Sequence, residues 1–188
     1  MRPAIDIVPP REEWSEEFAH LKEAAMRAAP EGAYIHHIGS TAVPGLPAKD
    51  IIDLQLTVHS LAAVDDAAFA RHGFKRIPGL AIDHCPPGLP LPEAELSKRF
   101  YKSTGRSANL HIREKGRFNQ RYALLCRDYL RAHPVAAGAY GQIKQRLARR
   151  FPADEDAYYE IKDPVFDIII EAANAWAITT AWSEPPAD

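Results

Sequence analysis

The residues of this sequence best suited to chemistry are the pair Gly39-Ser40, with Thr41 next to it, and an acid, Asp53, that follows Ser40 after twelve intervening residues. A tight Gly-Ser turn lets backbone N–H groups and small hydroxyls approach phosphate oxygens closely. A carboxylate on the neighbouring strand can then hold Mg2+, which neutralises the phosphates and polarises the attacked phosphorus. Alternation in the strand Ile51–Val58 sets Ile51, Asp53 and Gln55 on one face and Ile52, Leu54 and Leu56 on the other. Asp53 therefore interrupts an apolar run, which a metal role explains. Gly39, Ser40 and Thr41 as phosphate binders with Asp53 as metal ligand make up the parts of a metal-assisted nucleotidyl-transfer site.

Other residues fall around this core. Gln55 offers a neutral oxygen to the same metal, without adding charge. His111 lies mid-strand, shares a face with Asn109 and Arg113, and is read as a metal ligand or as an acid or base. Its alternative is a structural histidine bonded to a backbone carbonyl. His36 and His37 alternate faces, so only one of them can point to the site; His84 is a further, weaker candidate. Lys49 and Arg99 could neutralise phosphate. Arg127 and Arg131 are four apart on one helical face and either clamp an anion or form a satisfied network with Asp128. Tyr140, Lys144 and Lys162 read as packing and rim. Asp50 is acidic too, but alternation places it opposite Asp53.

The elements that must position these groups are legible in outline. Trp14, Phe18, Leu21, Ala25 and Ala28 mark a helix with Trp14 as a core anchor. Ala33–Ile38 reads as a strand ending at Gly39, and Gly39–Lys49 as a turn or very short helix. Ser60–His72 reads as one helix with Ser60 as N-cap, Leu61, Val64 and Ala68 inward, and Gly73 as its stop. Phe74–Ile77 is a candidate strand. Pro78–Pro92 holds five prolines and the pair His84-Cys85, and reads as a functional or mobile loop. Arg99–Lys102 and Ala108–Arg113 pair as a hairpin. The remainder is helical, with stripes Phe118/Tyr122/Leu125/Tyr129 and Tyr140/Ile143/Leu147/Phe151. Pro134 opens one helix, and Asp163-Pro164 should kink or restart the last, near 154–182.

Composition bounds the rest. With 188 residues, 46% apolar and 26% charged, the chain suits a single domain, here a core at about 11–115 and a helical part at about 116–182. A net charge of -2 gives no electrostatic case for wrapping nucleic acid. No apolar run approaches the roughly 20 residues that span a bilayer. The start, Met1 to Asp6, has no signal core, and Cys85 and Cys126 have no paired spacing, so a cytoplasmic location is expected.

The string Ile38-Gly39-Ser40-Thr41-Ala42-Val43-Pro44-Gly45-Leu46-Pro47-Ala48-Lys49, running into Ile51-Ile52-Asp53-Leu54, resembles the GrpB family (UPF0157-type). So do Leu110-His111-Ile112, Arg127 to Pro134 followed by Tyr140, Lys144 and Leu147, and the Tyr158/Tyr159–Lys162–Phe166 region. The resemblance implies an α+β fold, a nucleotidyltransferase-like mixed sheet flanked by helices with a helical C-terminal part. It also implies Mg2+ as cofactor and a nucleotide or other phosphorylated small molecule as partner. Polymerase-like relatives place a third carboxylate where His111 stands. Two departures from the pattern stand out: Asp50 replaces the family's usual proline, and Gln55 replaces the superfamily's second carboxylate. Three functions stay open: nucleotidyl transfer to an unidentified acceptor, a catalytically reduced nucleotide-binding module linked to coenzyme A metabolism through the family's fusion to dephospho-CoA kinase domains, or metal-dependent phosphoester hydrolysis.

Overall fold

Two apolar-alternating segments, Ile52–Val58 and Ala108–Glu114, lie side by side at the centre of a five-stranded sheet. The structure is a computed structural model and describes residues 4–188; the Met1–Pro3 part of the start lies outside them. The strands are β1 (Tyr34–Ile38), β2 (Ile52–Val58), β3 (Phe74–Arg76), β4 (Arg99–Ser103) and β5 (Ala108–Glu114), in the spatial order β1-β2-β5-β4-β3. The β2–β5 pair is parallel and the other three pairs are antiparallel. The mixed sheet and its helices give the α+β architecture that the sequence implies.

Alternation divides the sheet into an apolar and a polar face. Ile52, Leu54, Leu56, Val58, Leu110 and Ile112 point to one side, where α1 (Trp14–Met26) lays Trp14, Phe18, Leu21 and Ala25 over them. Each such aliphatic side chain, once fully buried, stabilises by roughly 1.5–3 kcal/mol. The other side carries Asp53, Gln55 and Thr57 beside Asn109, His111 and Arg113. Towards this side pack α3 (Phe118–Ala132), α4 (Pro134–Arg150) and α5 (Glu155–Thr180). Their core of Leu125, Leu130, Ala137, Tyr140, Ile169 and Ile170 includes Val43 and Leu46, so the segment after Gly39 is gripped by the helical layer.

Two expectations are corrected. The segment Ser60–His72 is a turn followed by a short helix, α2 (Asp66–Arg71). Ser60 caps the turn at Ala62 N, extended backbone at Val64 breaks the run, and Asp65 caps α2 at Ala67 N. Phe69 therefore takes the buried place expected for Ala68. The last helix does not restart at Pro164 but runs through it. The carbonyl that Pro164 leaves without an N–H belongs to Glu160, which is exposed to water. The hairpin Arg99–Arg113 forms as expected, as does the helix start at Pro134. Among the described residues, no helix is long and apolar enough to cross a membrane.

Candidate functional site

The turn after β1 and the acid on β2 meet as the sequence reading expects. Gly39 has φ 72° and ψ −169°, a conformation open to glycine. A Cβ there would stand 2.5 Å from Asp53 Oδ2, so the missing side chain lets the turn close over the carboxylate. Ser40–Ala42 then form a single 3-10 turn. In register, Asp53 pairs with Ile38 on one side and Asn109 on the other. Asn109 Nδ2 donates to Asp53 Oδ1 at 2.9 Å, and His111 Nε2 lies 3.8 Å from the same oxygen. The Asp53 side chain keeps 27% of its surface exposed, enough to reach a ligand.

A lysine also stands at the turn, but it is Lys144 rather than Lys49. Lys144 Nζ donates to Ser40 Oγ at 2.8 Å and to the Pro47 carbonyl at 2.5 Å. The side chain is buried, and burial, helped by nearby Lys162 and opposed by Asp53, pulls its pKa down to about 7. Lys49 reaches α5 instead, 3.0 Å from the Tyr159 hydroxyl, 3.4 Å from Glu155 and over the rings of Tyr158 and Tyr159. One signal could have found Lys144: it follows Tyr140 by one helical turn and shares the apolar stripe that Leu147 continues.

Several expected site residues are occupied elsewhere. Gln55 is fully buried, its Oε1 accepting from Arg113 at 2.5 Å and its Nε2 donating to the Gln120 carbonyl at 3.1 Å. Its oxygen is thus held by a guanidinium, which corrects the expectation of a neutral ligand beside Asp53. Arg127 donates to Asp128, the His37 carbonyl and Asp188, while Arg131 donates to the Ala42 carbonyl. This is the satisfied network, with carboxylates of the chain itself, rather than an open anion clamp. Asp50 faces α1, accepting from Trp14, Arg11 and Arg106. Arg99 binds Asp66 and the Val64 carbonyl on the opposite side of the sheet from Asp53.

The histidines divide as alternation requires. His37 turns to the apolar face, stacked on Phe18 with ring centroids 4.6 Å apart, and its Nε2 meets Thr41 Oγ1 at 2.9 Å. Burial holds its pKa down at about 4. His36 lies on the polar face against the Pro185 and Pro186 carbonyls. His84 pairs with Asp167 on α5.

Sequence reasoning missed Asp83. It comes from the proline-rich loop, where nothing periodic marks it, yet it sits half-buried against Arg113, Lys98 and Asn119. The Arg113 guanidinium and Lys98 hold its carboxyl well below the usual range. A hollow of about 440 Å³ lies apart from these groups, lined by α1 and by the β3–β4 and β4–β5 ends, including Leu21, Phe74 and Arg106.

With this geometry in view, relatives can be compared. The profile described as "GrpB protein" matches residues 4–172. The chain belongs to the GrpB family. The crystal structure of the conserved protein GrpB from Enterococcus faecalis superposes with a TM-score of 0.76 at 28% identity, covering 91% of this chain and 99% of that one. A protein named dephospho-CoA kinase from Mycolicibacterium paratuberculosis is 35% identical over 96% of this chain and 49% of its own length. The UPF0157 protein YqkA of Bacillus subtilis is 33% identical over 92% of this chain and 48% of its own. The chain thus spans about half the length of these two GrpB relatives. What this GrpB chain brings together is a glycine turn, a hydroxyl, one accessible carboxylate and one buried lysine.

Proposed function

We propose that the chain is a nucleotidyltransferase-like protein whose site seats the phosphates of a nucleotide on Gly39, Ser40 and Thr41, with one Mg2+ held by Asp53. The observation that carries this reading is the convergence of Asp53, Ser40 and Lys144 at a turn that only glycine can close. Lys144 supplies a positive charge where phosphate oxygens would lie. Asp53 and the Ser40 hydroxyl are hard oxygen donors, which suit Mg2+. Among the described residues no group of three or more His, Cys, Asp or Glu could hold a metal, so the cation needs phosphate oxygens and water to complete its shell. When bound, Mg2+ neutralises the phosphates and polarises the phosphorus. Lys144 and the turn orient the chain of phosphates, and Asn109 holds the Asp53 carboxylate in place.

One observation favours a second reading, nucleotide binding without turnover: the strand offers Asp53 alone, since Gln55 is tied to Arg113. Phosphoester hydrolysis required two histidines converging on Asp53, and among the described residues only His111 comes to ion-pair distance. A single pair of assays separates the readings. Nucleoside triphosphates with Mg2+ should release pyrophosphate, and Asp53→Ala should abolish it. Thermal stabilisation by nucleotide, about 2.7 kcal/mol at a hundredfold excess over Kd, with no pyrophosphate, would leave binding alone. Failure of nucleoside triphosphates, dephospho-CoA and inorganic phosphate to shift Tm with or without Mg2+ would overturn the site.

A further inference from the structure

His111 Nδ1 lies 3.3 Å from Arg113 Nη2, and a guanidinium can only donate. Nδ1 is therefore the bare, accepting nitrogen, and a neutral imidazole then carries its proton on Nε2. That nitrogen faces Asp53 Oδ1 at 3.8 Å. We infer that Arg113, fixed by Asp83, is a positioning residue that locks His111 in the Nε2–H form, so that His111 donates toward Asp53 and does not ligate the cation. The inference rests on the reading of Asp53 as the carboxylate of the phosphate site.

Arg113 has no freedom to turn away. Its Nε donates to Asp83 Oδ2 at 2.7 Å, its Nη2 to Asp83 Oδ1 at 3.0 Å and its Nη1 to Gln55 Oε1 at 2.5 Å. Asp83 is itself held by Lys98 at 2.6 Å and by Asn119 Nδ2 at 3.0 Å. The edge of the His111 ring is fixed against Phe100, with centroids 4.9 Å apart. An Arg113 N–H aimed at Nδ1 leaves no place for a proton on that nitrogen, so the ring facing it is the neutral one. A separation of 3.8 Å would by itself let a cation sit between Nε2 and Asp53, so the place of the proton decides. Ligation through Nε2 requires moving that proton to Nδ1, where it would oppose an Arg113 N–H in a buried setting. Two donors face to face leave one unsatisfied, which disfavours that arrangement. His111, expected from the sequence to be a ligand or an acid or base, becomes an orienting donor beside Asn109.

The test reads the tautomer directly and needs neither metal nor turnover. Long-range proton–nitrogen spectra of the full chain, labelled with 15N-histidine and recorded at pH 7, identify His111 by its loss in His111→Gln. The expected result is one tautomer, with Nε2 protonated and Nδ1 bare. An Nδ1-protonated ring, or a rapidly exchanging mixture, overturns the inference. Arg113→Met should convert the single tautomer into a mixture, and Asp83→Asn should do so partially. A His111 spectrum unchanged in a folded Arg113→Met would overturn the role of Arg113; if that variant does not fold, the parent spectrum and Asp83→Asn still decide. Absent nucleotide binding would instead overturn the phosphate-site reading and leave the tautomer result standing.

Discussion

At the scale of single residues, the site depends on which side chains are left uncommitted. Asp53 accepts from a neutral amide, Asn109, while Asp50, three positions earlier, is held by Trp14 and by the guanidiniums of Arg11 and Arg106. Lys144 is the opposite case, a charge held where burial opposes it. Its folded pKa, about 7, lies below its ordinary 10.5, so between those values the unfolded chain binds more protons and stability rises with pH. Below about pH 7 the cost of the buried charge is present in full. Lys144→Met should therefore raise stability at pH 7 by about 1–2 kcal/mol after the lost bonds to Ser40 and Pro47 are set against it. Tm by calorimetry checks this, and a lower Tm than the parent would contradict it. The same variant should weaken nucleotide binding, since the phosphates lose their nearest cation. The sequence shows Lys144 on the apolar stripe but not that its amine is buried, because a lysine so placed ordinarily packs its stem and lets its amine escape to water.

At the scale of elements, the site is the contact between the β1–β2 turn and α4. Gly141 makes that contact close: a Cβ there would stand 3.0 Å from Pro47 Cδ and 3.3 Å from Leu46 Cδ1. Elsewhere in a helix interior glycine costs about 1 kcal/mol relative to alanine, so its presence here fits close packing of helix on turn. Gly141→Leu should force α4 off Pro47, cost about 1–3 kcal/mol by overpacking, and weaken nucleotide binding by withdrawing Lys144 from Ser40. Urea denaturation and nucleotide titration measure the two effects together; unchanged affinity in a destabilised variant would separate helix docking from the site. Periodicity located α4 and the turn separately, but not their docking. The proline-rich loop shows the same limit, since the place of Asp83 depends on Arg113 and Lys98, which lie well along the chain from it.

At the scale of the whole molecule, one sheet serves two environments, an apolar face under α1 and a polar face closed by α3, α4 and α5. His37 connects them, its backbone N–H donating to Asp188 while its ring stacks on Phe18. Because its folded pKa, about 4, is below its ordinary 6.5, stability is lost as pH falls through that interval, by about 2–3 kcal/mol for this one group. Tm measured from pH 6.5 to 4 should fall less steeply in His37→Phe than in the parent; equal slopes would show that another group carries the loss. The sequence by itself determined the α+β order of elements, the family, the Gly39–Ser40 turn and the inward acid Asp53. Those rest on local periodicity, on glycine's conformational range and on a contiguous motif. Only the tertiary structure decided that Gln55 and Arg127 are internally satisfied, that Lys144 rather than Lys49 meets Ser40, and that Asp83 reaches the polar face. Hydrogen-bond saturation and the approach of distant charges depend on through-space distance, which spacing along a chain does not encode.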